Sequence, residues 1–322
     1  MPTIETALTR LLGIQHPILL SPMYGTSGGQ LAAAVTHAGG FGMFGAGIAF
    51  RDVIPQCRAD AGNARVGVGF IQWMLEKAPE ALDLALETQP AAVMLSFGDP
   101  TMFAPRIKAA GSTLICQVQS VAGATTAAEA GADVIVAQGR DAGGHAGMMR
   151  GTMGLVPAVV DAVAPIPVVA AGGIADGRGL AAALSLGAAG VLMGTRFAAT
   201  RESLQSDSMK AAIIAGRGDQ TAQTRVFDIV REAGWPSIYP GRVLRNEFFD
   251  KWDGREEALT ANVAEAKAAH FATAEEDYTQ RAVWSGEGVD LIHDVPSARD
   301  IVDRTIAEAV AVLRRGASLI RD

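Results

Sequence analysis

The chain has 322 residues, of which 49% are hydrophobic and only 6% aromatic, so any core must be aliphatic, as in helices packed on a buried parallel sheet. A net charge of −7 argues against a nucleic-acid-binding face, which needs a basic surface. Two cysteines, Cys57 and Cys116, are too few for a disulfide framework or a zinc cluster.

The amino terminus lacks the basic-then-apolar pattern of a signal peptide, and no apolar run reaches the roughly 18 residues of a membrane span. A cytoplasmic protein is the expectation. From Pro17 onward the chain repeats one unit: a short apolar run, a glycine or turn, then an alanine-rich helical segment. The runs that read as strands are Pro17–Met23, Phe41–Phe44, Val66–Ile71, Ala92–Leu95, Thr113–Val118, Asp133–Ala137, Pro167–Ala171 and Gly190–Met193. Helical patterns lie between them, among them Gln30–His37, Pro79–Glu87, Val121–Ala130 and Gly177–Leu186. Eight strand-plus-helix units predict an α/β fold of the (β/α)8 TIM-barrel type. An open doubly wound sheet is disfavoured, because no Gly-x-Gly-x-x-Gly follows the first strand.

One interval is longer than the rest. Between the sixth and seventh strands lies Gln138-Gly-Arg-Asp-Ala-Gly-Gly-His-Ala-Gly147, a glycine-dense loop around His145. Barrel active sites sit on the loops that follow the strands, so this enlarged loop is the first candidate for function. Gly143 and Gly144 let the backbone approach a ligand closely, and their amides form an anion nest. His145 is the candidate acid or base, since histidine is the side chain suited to exchanging protons near neutral pH.

The next two strands both run into glycine turns, Ala171-Gly-Gly-Ile174 and Met193-Gly-Thr-Arg196. Paired loops of this kind after the last two strands form phosphate sites in such barrels, with Gly172, Gly173, Gly194 and Thr195 supplying donors and Arg196 available to add charge. A phosphorylated cofactor or substrate is expected. The first strand ends in Ser21-Pro-Met23, where a fixed backbone and a soft thioether suit a flat ring, although Met23 could equally be core. Gln117 and Gln138, at the ends of their strands, could hydrogen-bond a heteroaromatic edge.

Beyond Phe197 the composition turns polar and charged. Gln205–Ala215 and Glu256–Phe271 have helical periodicity, and Trp235-Pro-Ser-Ile-Tyr-Pro-Gly241 is a turn-rich connector. This predicts a small helical substrate or lid domain over residues 201–280, with the barrel formed by residues 1–200 and 281–322. Ser297 is the expected N-cap of a closing helix through Arg315. His16, His37, His270 and His293 lack partners at ligand spacing, so no metal site is expected.

Together, Ser21-Pro-Met23, Gln138-Gly-Arg-Asp-Ala-Gly-Gly-His145, Ala171-Gly-Gly-Ile-Ala-Asp176 and Met193-Gly-Thr-Arg-Phe197 resemble nitronate monooxygenase, formerly 2-nitropropane dioxygenase. The resemblance covers the barrel from about Thr3 to Phe197 and, more weakly, the tail. It implies an FMN-containing barrel with contacts from Ser21, Pro22, Met23, Gly69, Gln117, Gln138, Gly143, Gly144, Gly172, Gly173, Ile174, Met193, Gly194 and Thr195. It also implies that His145 is the active-site histidine, acting on a nitronate or nitroalkane with dioxygen; a homodimer is compatible with it. Two positions depart from the family pattern: Asp141 stands where Glu is frequent, and Ser285-Gly-Glu287 stands where Ala-Gly-Gln is frequent, which leaves open what those residues do at the substrate wall. The FMN-dependent, NAD(P)H-using enoyl-ACP reductase shares the Gly-Gly-His loop and the phosphate turns and is the enzyme alternative. A non-catalytic flavin-binding module is the alternative outside catalysis. An inosine-monophosphate-dehydrogenase-like barrel is set aside, because no cysteine lies between Gln138 and Gly154.

Overall fold

The computed structural model describes residues 2–320. Eight parallel strands carry the architecture: β1 (Ile18–Leu20), β2 (Met43–Gly45), β3 (Gly67–Ile71), β4 (Ala92–Ser96), β5 (Thr113–Val118), β6 (Val134–Gln138), β8 (Val168–Ala171) and β9 (Gly190–Met193). Their spatial order is β1-β9-β8-β6-β5-β4-β3-β2. A parallel bridge between Leu19 and Phe41 joins the two ends, so the sheet closes on itself as a TIM barrel.

The strands are buried on both faces, which explains why they read as continuous aliphatic runs rather than alternating ones. Alternation still sorts the side chains. Leu19, Met43, Met94, Ile115, Val136, Val169 and Leu192 fill the barrel interior. Leu8 and Leu12, from the helix Ala7–Leu12, join that cluster and plug the end where the strands begin. Ile18, Leu20, Val68, Leu95, Cys116, Ala137, Val191 and Met193 face the surrounding helices. The helix Ala298–Ala317 completes this outer layer: Ser297 and Asp300 cap it reciprocally, and Ile301, Val302, Ile306 and Ala309 are its buried stripe.

The segment over residues 201–280 departs from the all-helical expectation. It holds β10 (Thr221–Thr224) and β11 (Gly241–Leu244), which pair antiparallel, and β11 pairs in turn with a two-residue strand, β7 (Gly144–His145). Short polar strands with a glycine-dense partner carry no hydrophobic alternation, which is why the pattern concealed them. The helical stretch Glu256–Phe271 is also two helices, Glu256–Ala261 and Val263–Ala272, divided at Asn262. This segment has its own apolar cluster of Val226, Phe227, Val230, Val243, Phe248 and Phe249. Among the described residues, no helix is long and apolar enough to cross a membrane.

Candidate active site

The strands end around a cavity of about 350 Å³, within the range of small-molecule sites. Ser21, Pro22, Met23, Gly69, Gln117, Gln138, Gly143, Gly144, His145, Gly172, Gly173, Ile174, Gly194 and Thr195 all line it. Met193 does not. It is fully buried among the helices, because Leu192 takes the inward position and parity sends its neighbour outward.

Backbone geometry builds one side of the cavity. Gly172 (φ +114°) and Gly173 (φ +68°) both occupy the left-handed region. A Cβ on Gly172 would lie 2.6 Å from Thr152 Oγ1. The N–H groups of Gly172 and Gly173 find no acceptor among the described residues. Thr195 Oγ accepts a hydrogen bond from Gly286 N at 3.1 Å, which leaves its own proton free to donate. These donors suit an anion such as the phosphate of a flavin. The neighbouring helix Gly177–Ser185 contributes nothing to it, since Asp176 and Glu308 already accept from its first amides. Arg196 also turns away: it is buried and bonds Asp294 and the Ala199 carbonyl, tying the barrel to the tail.

The three glutamines at the strand ends form a chain. Gln117 Nε2 and Gln119 Nε2 donate to Gln138 Oε1 at 3.2 and 2.9 Å, and Gln138 Nε2 donates to the His145 carbonyl at 3.0 Å. Gln138 is therefore committed to holding the histidine loop, while Gln117 Oε1 stays available to a ring N–H.

His145 is fixed on three sides. Its Nε2 lies 2.9 Å from Asp228 Oδ2. Its ring stacks on Trp235 at 3.5 Å with a 6° interplanar angle, and Trp284 stands 5.2 Å away. The side chains of His145 and Asp228 are only 11% and 7% exposed. Arg231 holds Asp228 Oδ1 at 3.2 Å and itself lines the cavity. With Asp228 accepting at Nε2, the neutral imidazole keeps its lone pair on Nδ1, the nitrogen that can exchange a proton.

Asp228, Arg231, Gly286 and Gly288 line or support the site and were not assigned there from sequence, whereas Trp235, readable from sequence as either pocket lining or packing, does line it. Ser285 and Glu287 do not line it: Ser285 is fully buried, and Glu287 pairs with Arg242 at 2.8 Å. Glu287 N donates to Asp141 O, so the tail backbone runs along the histidine loop and presents its two glycines to the cavity. Asp141 itself caps Thr152 N at 2.7 Å.

A family model described as nitronate monooxygenase matches residues 56–308. The chain belongs to the nitronate monooxygenase family. Its relatives in that family are enzymes, flavin oxidoreductases, and the non-catalytic alternative falls with that assignment. The Neurospora crassa nitronate monooxygenase is 33% identical over 95% of this chain and 93% of its own. A Rhodococcus jostii protein named (3aS,4S,5R,7aS)-5-hydroxy-7a-methyl-1-oxo-octahydro-1H-indene-4-carboxyl-CoA dehydrogenase is 31% identical over 96% of this chain and 97% of its own. Among solved structures, FabK from Thermotoga maritima superimposes with a TM-score of 0.86 at 33% identity, covering 99% of this chain and all of that one. A nitroalkane oxidase from Streptomyces ansochromogenes gives 0.76 at 28% identity, covering 97% and 100%.

Proposed function

We propose that the chain oxidises alkyl nitronates, and nitroalkanes after deprotonation, with FMN as cofactor and dioxygen as oxidant. The observation that carries this is the His145–Asp228 pair, 2.9 Å apart, at the wall of a cavity built by strand-end glycines. When bound, FMN supplies the redox chemistry, taking electrons from the substrate and passing them to dioxygen. The protein's own part is to bind, orient and move a proton. Gly172, Gly173 and Thr195 would hold the phosphate, with Gly194 completing the turn; Pro22, Met23, Gly69 and Gln117 would border the ring. Residues 201–280 would act as the lid that supplies Asp228, Arg231 and Trp235.

A nitroalkane is a carbon acid, so a neutral His145 can take the Cα proton through Nδ1, with Asp228 stabilising the imidazolium that forms. A substrate that arrives as the nitronate needs no base. For it the imidazolium and Arg231 offer positive charge to the nitro oxygens, and the stack on Trp235 keeps the ring in register. The test is an absorption spectrum of the purified protein followed by anaerobic titration with propyl-2-nitronate. Flavin bleaching, then oxygen uptake on aeration, is expected.

A second reading draws on a specific likeness. The FabK structure and the Rhodococcus CoA-thioester dehydrogenase match nearly the whole chain as well as the nitronate enzymes do. An NAD(P)H-dependent reductase of an acyl thioester would use the same cavity, with His145 donating rather than accepting a proton. Rapid anaerobic bleaching by NADH, without reduction by the nitronate, would select it.

A further inference from the structure

A second cavity, of about 370 Å³, opens beside the first. Gly47, Phe70 and Ile71 line both, so the two adjoin at the barrel mouth. The wall between them is aromatic. Trp73 lines the second cavity and packs edge-on against Trp235 at 5.4 Å, and Trp235 is the residue stacked on His145. Gly47 sits at the junction with φ +61°, and a Cβ there would come 2.1 Å from the Tyr24 ring.

The lining of the second cavity is apolar: Ile48, Phe50, Met74, Leu75, Ala78 and Ala81 make most of the rest of it. It has two charged residues. Glu232 pairs with Lys267, and the Lys77 ammonium lies 4.8 Å over the Trp73 ring. Its polar groups are few, the unpartnered Trp73 indole N–H and the Lys77 ammonium, and a wall so largely apolar rewards buried hydrocarbon.

We propose that this cavity is the tail subsite of the enzyme: it takes an unbranched alkyl chain of medium length attached to the carbon that reacts beside His145. The subsite rests on the nitronate reading above for the identity of the reacting group, and an unbranched chain suits the crowded junction at Gly47, where even an added Cβ would meet the Tyr24 ring. Each methylene seated there is worth about fourfold in affinity. Octyl 1-nitronate is therefore favoured over ethyl nitronate by roughly 30-fold in kcat/KM once two or three of its six additional methylenes are seated, and by more as the others follow.

The experiment uses the flavin-loaded protein with two variants that narrow the cavity, Ala78→Phe and Met74→Trp, the second guarding against misfolding of the first. Either variant is expected to reduce the octyl-over-ethyl ratio to below about threefold while kcat/KM for ethyl nitronate stays within about twofold of wild type. Calorimetric binding of 1-octanol, which needs no turnover, is expected for wild type and weakened about tenfold or more by either variant. Octanol binding that both folded variants leave unchanged, or a chain-length ratio unaltered by them, overturns the subsite. If the wild-type protein oxidises no nitronate, the function reading fails, and the octanol measurement still decides whether the cavity takes an alkyl chain.

Discussion

His145 Nε2 and Asp228 Oδ2 stand 2.9 Å apart although 83 residues separate them in the chain. One comes from the loop after β6, the other from the helix Val226–Arg231 of the appended segment. The contact fixes which imidazole nitrogen carries the proton. Asp228→Asn should leave flavin content and fold intact while lowering kcat for a neutral nitroalkane about 100-fold, since an amide can present its N–H to Nε2 and favour the wrong tautomer. Steady-state kinetics across a pH series, with Asp228→Glu as the rescue, checks it; equal losses for Asn and Glu would point to packing alone.

His145→Asn separates the two roles of the imidazole. Deprotonation is needed only for the neutral substrate, so kcat/KM for nitroethane should fall about 1,000-fold, whereas ethyl nitronate should lose about tenfold. Oxygen-electrode assays with the two substrates side by side read this out. Equal losses on both would remove the base assignment.

Gly172 tests the anion cradle. Its φ of +114° is a region that side chains rarely adopt, and a Cβ would strike Thr152 Oγ1. Gly172→Ala should cost about 1–3 kcal/mol locally and lower flavin retention about tenfold or more. Gly144→Ala is the control: its φ is +69°, but nothing lies within 4 Å of the added methyl. The flavin-to-protein absorbance ratio after gel filtration distinguishes them, and equal retention in both variants would count against the cradle.

His270 makes the appended segment acid-sensitive. Burial, with Arg281 and Arg231 nearby, pushes its pKa down from 6.5 to about 4, and its Nδ1 has no partner. Between those two values the unfolded chain binds the proton and the folded one does not, so stability falls as pH drops through that window and levels off below it. The loss should be on the order of 3 kcal/mol. His270→Phe, set among Phe227, Phe248 and Phe271, should flatten the slope of melting temperature against pH between 6.5 and 4. An unchanged slope would assign the acid lability elsewhere.

Much of this molecule was legible because burial on two faces leaves a strong mark. The runs Thr113–Val118 and Gly190–Met193 match their strands residue for residue, and the enlarged interval after β6 does hold the histidine. Three things escaped for stated physical reasons. Met193 was aimed at the cavity by its motif, but strand parity turns it outward. Asp228 sits in a stretch whose spacing does not distinguish a buried carboxylate from a solvated one, because its partner is remote in sequence. Strand β7 is two residues long and half glycine, and only its pairing with Gly241 and Arg242 defines it.

That pairing has a mechanical consequence. His145 rides on a strand that pairs with the small antiparallel sheet, while its carbonyl accepts from Gln138 Nε2 of the barrel, and Arg242 of β11 donates to the Arg140 carbonyl. A hinge of that sheet would therefore have to break the Gln138 bond before it could carry the imidazole away from the strand ends, so the ring is tied to both layers at once. For an enzyme engineer, the outer segment is not an interchangeable cover: grafting one from a relative resets the register of the His145 ring.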